Sequence, residues 1–235
     1  MSDSVVTKFL TRSLHRRSFF RIGGAVAAAT TLTLAGCGDD PVAPTGSSVL
    51  SLGQADAGLL NYIYVLEQLE AAFYQQVLAA APADMSTEDK DLLTQIYQHE
   101  VVHRELLLQA LSVAGAGVLS NLEFTFASLS LSSRSGVLTA ARMFEDLIVA
   151  AYNGAAPLFA DGTYLLLLGK IVSVEARHAA LMHDLLQPGS FADNSVVEAS
   201  GTFAGLERTL TVAEVITELN KYLVIKVSAD NLPTA

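Results

Sequence analysis

Two Glu-x-x-His pairs lie where the surrounding residues are apolar. Glu100 and His103 form the first pair, in QHEVVHREL, and Glu175 and His178 form the second, in VSVEARHAAL. Residues three apart on a helix lie one turn along it and on neighbouring sides, so each pair can converge on one ion. Carboxylate and imidazole together suit iron, manganese or zinc. The residue types and their spacing therefore predict metal ligands.

A second repeated pair precedes each of these motifs by about thirty residues. Glu67 and Tyr74 lie in LEQLEAAFY, and Glu145 and Tyr152 lie in FEDLIVAAY at the same spacing. One Glu-x-x-His arises by chance on many solvated helix faces. Because the longer pattern occurs twice, the sequence predicts an internal repeat whose two halves contribute to one site.

Both motifs lie on apolar stripes with the spacing of core positions in a helical bundle. The stripes comprise positions 93, 96, 100, 103, 107 and 110, and positions 168, 171, 175, 178, 182 and 185. Glu67 and Glu145 lie beside similar stripes. Four inward carboxylates would need charge compensation, because each unpaired buried charge costs several kcal/mol. Two divalent cations would supply it, since no arginine lies on the stripes.

Four long helices must position these residues, at about 55–80, 86–115, 136–156 and 164–186. The first and last connections are short, whereas the middle one, 115–135, is long enough to cross the length of a bundle. Thr211-Val-Ala-Glu214 is a capping-box pattern that begins a C-terminal helical segment. The predicted fold is all-α, an antiparallel four-helix bundle with one long crossover between helices 2 and 3.

The N-terminal segment has the composition of an export signal. Arg16-Arg17 precedes a modest apolar run, 22–34, and resembles a twin-arginine signal, while Leu34-Ala-Gly-Cys37 resembles a lipobox. The apolar run is too short for a membrane-spanning helix. We therefore expect an exported lipoprotein, anchored by lipid on Cys37, that faces the periplasm or the cell surface. Cys37 is the only cysteine, so the domain's metal ligands must be nitrogen and oxygen.

Charge and composition define the remaining organisation. Residues 1–36 carry five Lys/Arg and one acidic residue, so the remainder has nine basic and 23 acidic residues and a net charge of −14. Such an acidic chain argues against a nucleic-acid partner. The predicted segments are a signal (1–37), a flexible tether (38–53), the bundle (54–187) and a C-terminal extension (188–235). A homo-oligomer is compatible with this organisation.

The repeated residues resemble the ferritin-like di-iron and di-manganese carboxylate proteins, whose bundles use this ligand pattern. More narrowly, LEQLEAAFY, HEVVH, AAYNGAAPLF and VEARHAAL resemble an exported bacterial ferritin-like family related to desiccation-associated proteins. The resemblance implies that one metal lies between Glu67 and His103 and the other between Glu145 and His178. It implies that two carboxylates bridge these metals: Glu100 and Glu175.

Other polar residues near the motifs have two alternative interpretations or a predicted place in solvent. The resemblance implies that Tyr74 and Tyr152 hydrogen-bond the ligands, although each could be an ordinary core tyrosine. Glu70 lies on the core stripe but aligns with Ile148 in the repeat, so it is either an extra ligand or a supporting residue. Three residues off the stripes are expected to be solvated: His99, Glu105 and His183.

Three functions fit this sequence. We expect both metal ions to be iron, with manganese as the alternative. Two reduced ions could oxidise a substrate with O2 or peroxide. A dimanganese centre that dismutates peroxide would use nearly the same ligands. A non-enzymatic stress-protective or structural protein could instead use the metals only to stabilise its core.

Overall fold

The structure of the protein is a computed structural model that describes residues 49–234. Five α-helices form almost all of its regular structure. In chain order the elements are β1 (Leu50–Ser51), α1 (Ala55–Ala79), α2 (Thr87–Val113), α3 (Arg134–Ala155), a 3-10 turn (Ala156–Leu158), α4 (Gly162–Leu186), α5 (Val212–Leu219) and β2 (Val227–Ser228). The predicted signal, the lipidation residue Cys37 and most of the tether lie outside the described residues.

The helices α1 to α4 form two hairpins, α1 with α2 and α3 with α4, and α1 and α3 contact each other across the bundle. The prediction of an all-α bundle with one long crossover is confirmed. The apolar core lies between the helices and includes fully buried Leu59, Ile63, Phe73, Leu93 and Phe144. Burial of such side chains, at about 25 cal/mol per Å² of apolar surface, is the main force that holds the helices together.

Side-chain caps fix where the helices begin. Ser86 forms a capping box with Asp89 at α2, and Thr211 forms the predicted one with Glu214 at α5. The predicted starts of α3 and α4 are each two residues late, because Ser133 and Asp161 cap helices that begin at Arg134 and Gly162. Each cap satisfies a backbone N–H that has no partner within its helix.

The crossover between α2 and α3 follows the surface of α1 and is held by two buried amides. Asn61 donates to the carbonyl of Gly117 at 2.7 Å, and Gln68 donates to that of Leu119 at 2.8 Å. The amide oxygen of Asn61 also accepts from the backbone N–H of Leu119. These bonds satisfy polar groups that would otherwise be buried without partners, and so they order a connection that has little regular structure.

The C-terminal extension closes one side of the bundle. α5 packs on α3, and β2 pairs in parallel with β1, which joins the two ends of the described chain. Gly154 on α3 allows this contact, because an added Cβ would lie 1.8 Å from the carbonyl oxygen of Leu210. The two short strands were not predicted from the sequence. No helix between residues 49 and 234 has the length and apolar character needed to cross a membrane.

Candidate metal centre

The structure brings the six predicted ligands together in the centre of the bundle. α1 supplies Glu67, α2 supplies Glu100 and His103, α3 supplies Glu145, and α4 supplies Glu175 and His178. The four carboxylate residues are 0% exposed, whereas His103 is 7% and His178 5% exposed. The histidines therefore lie at the edge of the cluster that is nearest to solvent.

One half of the cluster is formed around His103. Its Nδ1 lies 2.5 Å from Oε1 of Glu175, 3.4 Å from Oε2 of Glu100 and 3.6 Å from Oε2 of Glu67. Ligand atoms of these four residues all lie within 4.8 Å of one another, which is close enough to hold one ion. This grouping matches the ligand set predicted for the first metal.

The other half is formed around His178 and resembles the first. Its Nδ1 lies 3.0 Å from Oε1 of Glu100, 3.0 Å from Oε2 of Glu175 and 3.7 Å from Oε2 of Glu145. Glu100, Glu145 and His178 form a second group that could hold an ion. Glu100 and Glu175 thus each direct one oxygen toward His103 and the other toward His178.

The hydroxyls of two buried tyrosines donate to the cluster from across the bundle. Tyr74 on α1 donates to Oε1 of Glu145 on α3, and Tyr152 on α3 donates to Oε1 of Glu67 on α1. In each case the other oxygen of the carboxylate has no hydrogen-bond partner and remains available for an ion. These tyrosines are therefore more than ordinary core residues, because their hydroxyls orient Glu67 and Glu145.

Glu70 adds a fifth buried carboxylate on one side of the cluster. It is 0% exposed, and neither of its oxygens has a hydrogen-bond partner. Its carboxylate groups with those of Glu145 and Glu175 within 4.8 Å. Since Ile148 occupies the equivalent place in the repeat, Glu70 makes the two halves of the cluster chemically unequal.

Burial and mutual repulsion control the protonation of the carboxylates. Desolvation, with the repulsion of Glu175 and Glu100, raises the pKa of Glu67 to about 8. Desolvation and neighbouring carboxylates also raise the pKa values of Glu70 and Glu145 well above the ordinary range. Burial acts in the same direction on Glu100, but the close imidazoles of His103 and His178 outweigh it and lower its pKa.

The histidines respond in the opposite sense. Burial lowers the pKa of His103, but the close carboxylates of Glu100, Glu175 and Glu67 outweigh this and raise it to about 12. The pKa of His178 is likewise lowered by burial and raised by Glu100 and Glu175, with a net rise to about 10. Without metal, the cluster is therefore neutralised by protons shared among its own residues.

At His103, short contacts with carboxylate oxygens occur without hydrogen bonds. Its Nδ1 is 2.5 Å from Glu175, yet the angles fit no hydrogen bond, and both oxygens of Glu100 also lack one. Donor atoms that converge on a common point leave each other in poor hydrogen-bond geometry, and these short contacts have that arrangement. Buried polar atoms without partners require an explanation such as a bound ion. Within residues 49–234 no lysine or arginine forms a salt bridge with this cluster.

Two residues outside the stripes make contacts that were not predicted, and one of them is buried. His183 was predicted to be solvated, but it is 2% exposed, and its Nε2 lies 2.9 Å from Oδ1 of Asp146 on α3. His99 is largely exposed, yet its Nδ1 lies 2.9 Å from Nε2 of His178. Both contacts cross between helices, so the spacing along one helix gave no signal for them. Glu105 is partly exposed and pairs with Arg104.

Comparisons with known proteins agree with this arrangement. A family model described as a ferritin-like domain matches residues 55–188, which is more than half of the chain and includes every residue of the cluster. No curated protein matches the sequence.

Proposed function

Because the chain belongs to the ferritin-like domain family, we propose that it holds a dinuclear metal centre that reacts with O2 or peroxide. The buried carboxylates and histidines could hold a metal. The number of ions, their identity and their reaction are our proposal, and iron is the preferred metal.

The observation that carries the proposal is the orientation of Glu100 and Glu175. Each places one oxygen within 3.4 Å of His103 Nδ1 and the other 3.0 Å from His178 Nδ1. A carboxylate that bound a single ion would need to face only one of the two histidines. Two such residues related by the internal repeat support two adjacent ions with shared carboxylates.

The remaining residues each have a role in this centre. Glu67 would complete the position beside His103, and Glu145 the position beside His178. Tyr74 and Tyr152 would hold these two carboxylates so that their unpartnered oxygens face the ions. Such outer hydrogen bonds fix ligand orientation and typically change metal affinity by about 10- to 100-fold.

Charge balance also favours divalent ions. Five carboxylates converge in a space without a lysine or arginine salt bridge in the described chain. Two divalent ions could replace the protons that otherwise neutralise the cluster, and they would satisfy the unpartnered oxygens at the same time. The donor set of imidazole and carboxylate excludes a preference for soft, thiolate-bound metals.

The chemistry follows from this donor set and from the burial of the site. When bound, two redox-capable ions would supply electrons to a small oxidant, or two manganese ions would support peroxide dismutation. The chain contributes enclosure, since all the carboxylates are 0% exposed and only the histidine edges reach solvent. A small molecule such as O2 or hydrogen peroxide suits that access better than a large organic substrate.

The same burial favours a second candidate, in which the ions only stabilise the core. A structural site typically has its ligands closed from solvent, and here the carboxylates are inaccessible. In this case the protein would be a stress-protective or structural protein without turnover.

The test is metal analysis of the purified full-length chain after anaerobic loading with iron or manganese. We expect two ions per chain for the wild type and fewer than one for the double variant Glu100→Ala/Glu175→Ala. The matched control is Glu105→Ala/Glu123→Ala, which removes two carboxylates outside the cluster and should bind like the wild type. A wild type that binds fewer than two ions would refute the dinuclear centre.

Exposure of the loaded protein to O2 and to peroxide then separates the candidate functions. Oxidation of the metals followed by repeated turnover supports the oxidation chemistry, and release of O2 from peroxide supports dismutation. Two bound ions without any reaction would favour the structural candidate.

We also propose that the chain is exported through its twin-arginine segment and anchored by lipid on Cys37, as its N-terminal motifs indicate. Cys37→Ser should abolish labelling by a radioactive fatty acid and move the protein from the membrane fraction to the soluble one. Arg16→Lys/Arg17→Lys should retain it in the cytoplasm. A wild-type chain without label would contradict the anchor.

A further inference from the structure

His99 contacts the one nitrogen of His178 that faces away from the cluster. His99 lies on α2 directly before Glu100, and its Nδ1 is 2.9 Å from Nε2 of His178 on α4. The two ring planes differ by 13°, and their centroids lie 5.1 Å apart. The centroid separation exceeds the distance between the nitrogens by roughly two ring radii, so the contact is head-on and in plane, as in an N–H···N hydrogen bond.

The position of the cluster decides which histidine donates. Nδ1 of His178 faces Glu100 and Glu175 at 3.0 Å each. If this nitrogen binds a metal it needs a free lone pair, so the ring proton must lie on Nε2. Nε2 of His178 then donates to Nδ1 of His99. The acceptor on His99 therefore selects the tautomer of His178 that can bind metal.

The other half of the repeat lacks this device. Val174 occupies the place of His99 beside Glu175. Among the described residues, no hydrogen bond reaches Nε2 of His103. The rings of His99 and His103 are also too far apart for one, with centroids at 6.4 Å and planes tilted by 32°. The chain thus contains its own comparison: one metal-facing histidine has a fixed partner, and the other does not.

We propose that His99 is a positioning residue that fixes the ring and tautomer of His178, so that the metal position beside Glu145 binds more tightly than the one beside Glu67. This inference rests on the proposed dinuclear centre. A residue that orients a ligand histidine through its second nitrogen changes metal affinity by about 10- to 100-fold, so the two positions should fill in sequence.

The experiment compares Co²⁺ binding by the full-length wild type, His99→Val and His99→Asn. Valine is the residue that the repeat itself places here, whereas the asparagine amide oxygen can accept from His178 as Nδ1 of His99 does. Titration against a competing chelator should give two unequal affinities for the wild type. His99→Val should weaken the tighter one by about 10- to 100-fold and leave the other unchanged. His99→Asn should restore most of it.

A spectroscopic measurement separates positioning from a general loss of structure. In Zn²⁺-loaded protein, long-range ¹H–¹⁵N spectra should show His178 protonated at Nε2 in the wild type and in His99→Asn. In His99→Val this proton signal should broaden or disappear. The thermal midpoint of the metal-free protein should stay unchanged in all three chains, because His99 is largely exposed.

The outcomes distinguish this inference from the proposed function. A wild type that binds no Co²⁺ would refute the dinuclear centre and this inference with it. A wild type that binds two ions, together with a His99→Val variant of the same two affinities, would overturn the role of His99 and leave the centre intact. Failure of His99→Asn to restore affinity would also contradict it.

Discussion

At the scale of single residues, the centre is built from an exchange of hydrogen bonds between opposite helices. The hydroxyl of Tyr74 on α1 donates to Glu145 on α3, and the hydroxyl of Tyr152 on α3 donates to Glu67 on α1. Each tyrosine therefore holds the carboxylate of the other hairpin. The exchange orients the two predicted terminal ligands and also joins the two halves of the bundle.

Tyr74→Phe tests this exchange, because it removes only the hydroxyl. Oε1 of Glu145 would lose its donor, and a buried polar group without a partner costs about 1–3 kcal/mol. We expect the free energy of unfolding of the metal-free protein to fall by about that amount and metal affinity to fall by about 10- to 100-fold. Chemical denaturation and metal titration measure the two effects.

Tyr62 provides the matched control on the same helix. It is also fully buried, but its hydroxyl has no hydrogen-bond partner. Tyr62→Phe should therefore be neutral or slightly stabilising and should leave metal binding unchanged. Equal effects of the two substitutions would show that the hydroxyl of Tyr74 has no special role.

The variant Glu70→Met tests whether Glu70 is an extra ligand or a supporting residue. Desolvation and the nearby carboxylates raise its pKa well above the ordinary range, so it is protonated and unpartnered in the metal-free protein. Glu70→Met removes this buried polar group at similar length, so the metal-free protein should become more stable by about 1–3 kcal/mol. If Glu70 is a ligand, the same variant should bind one of the two ions more weakly, whereas unchanged affinity for both would make it a supporting residue.

The sequence predicted the six cluster residues but not all of their neighbours, for a physical reason. Helical spacing tells which face of a helix a residue occupies, and this places Glu100, His103 and Glu175 in the core. It does not tell which residues of different helices lie at the same height. The contacts of His99 with His178 and of His183 with Asp146 depend on that register, and so they could not be predicted.

At the scale of elements, the N-termini of α2 and α3 are tied by one ion pair. Asp89 belongs to the capping box of α2, and both of its oxygens accept from the guanidinium of Arg134, at 2.7 and 2.8 Å. These hydrogen bonds, which outweigh the opposing effect of burial, lower the pKa of Asp89 to about 2. The pair thus connects the two hairpins at the point where the crossover ends.

Asp89→Asn should destabilise the protein by about 1–2 kcal/mol near neutral pH. This range is the effect of a charge-assisted hydrogen bond, reduced because the side chain of Arg134 is 35% exposed and screened by solvent. Asp89 has a folded pKa below its unfolded value, which is about 3.9. Its contribution is therefore complete above that value and is lost as the pH falls toward 2.

Urea denaturation as a function of pH measures this effect. The difference between wild type and Asp89→Asn should be constant above about pH 5 and should shrink toward pH 2. Asp91→Asn, an exposed position on the same helix, should have no such effect. A difference that persists unchanged at pH 2 would contradict the assignment.

Among the elements, too, features that depend on neighbouring residues could be predicted, whereas contacts between residues far apart in sequence could not. The capping boxes at Ser86 and Thr211 are local, and the one at Thr211 was predicted from its pattern. The pairing of β1 with β2 and the attachment of the crossover to Asn61 and Gln68 join residues far apart in sequence. Two-residue strands and single buried amides carry no periodic signal, so the sequence could not indicate them.

At the scale of the whole molecule, folding without metal requires buried carboxyl and imidazole groups of the core to be protonated. Residues 37–235 carry a net charge of −14, and part of this acidic excess lies in the cluster rather than on the surface. The raised pKa values of Glu67, His103 and His178 keep all three protonated at pH 7. The protein therefore folds with its ligands in their proton-bound form, and the ions must compete with those protons.

Metal loading should consequently release protons in proportion to the ligands that it captures. Glu67, Glu145, His103 and His178 are all protonated near pH 7 because their pKa values are raised, so filling both positions should release roughly three to four protons per chain. Affinity should then rise steeply with pH between about 6 and 8. The stability gained from metal, about 2.7 kcal/mol when free metal is 100 times its dissociation constant, should be reached at lower metal concentration as the pH rises.

Calorimetric titration of the full-length chain in two buffers of different ionisation enthalpy measures the released protons directly. Glu100→Ala/Glu175→Ala serves as the reference, because it lacks the two carboxylates proposed to bridge the ions and should bind little metal. Its heat should not depend on the buffer. A wild-type heat that is equally independent of the buffer, with two ions bound, would show that the ligands are already deprotonated and that the core is neutralised in another way.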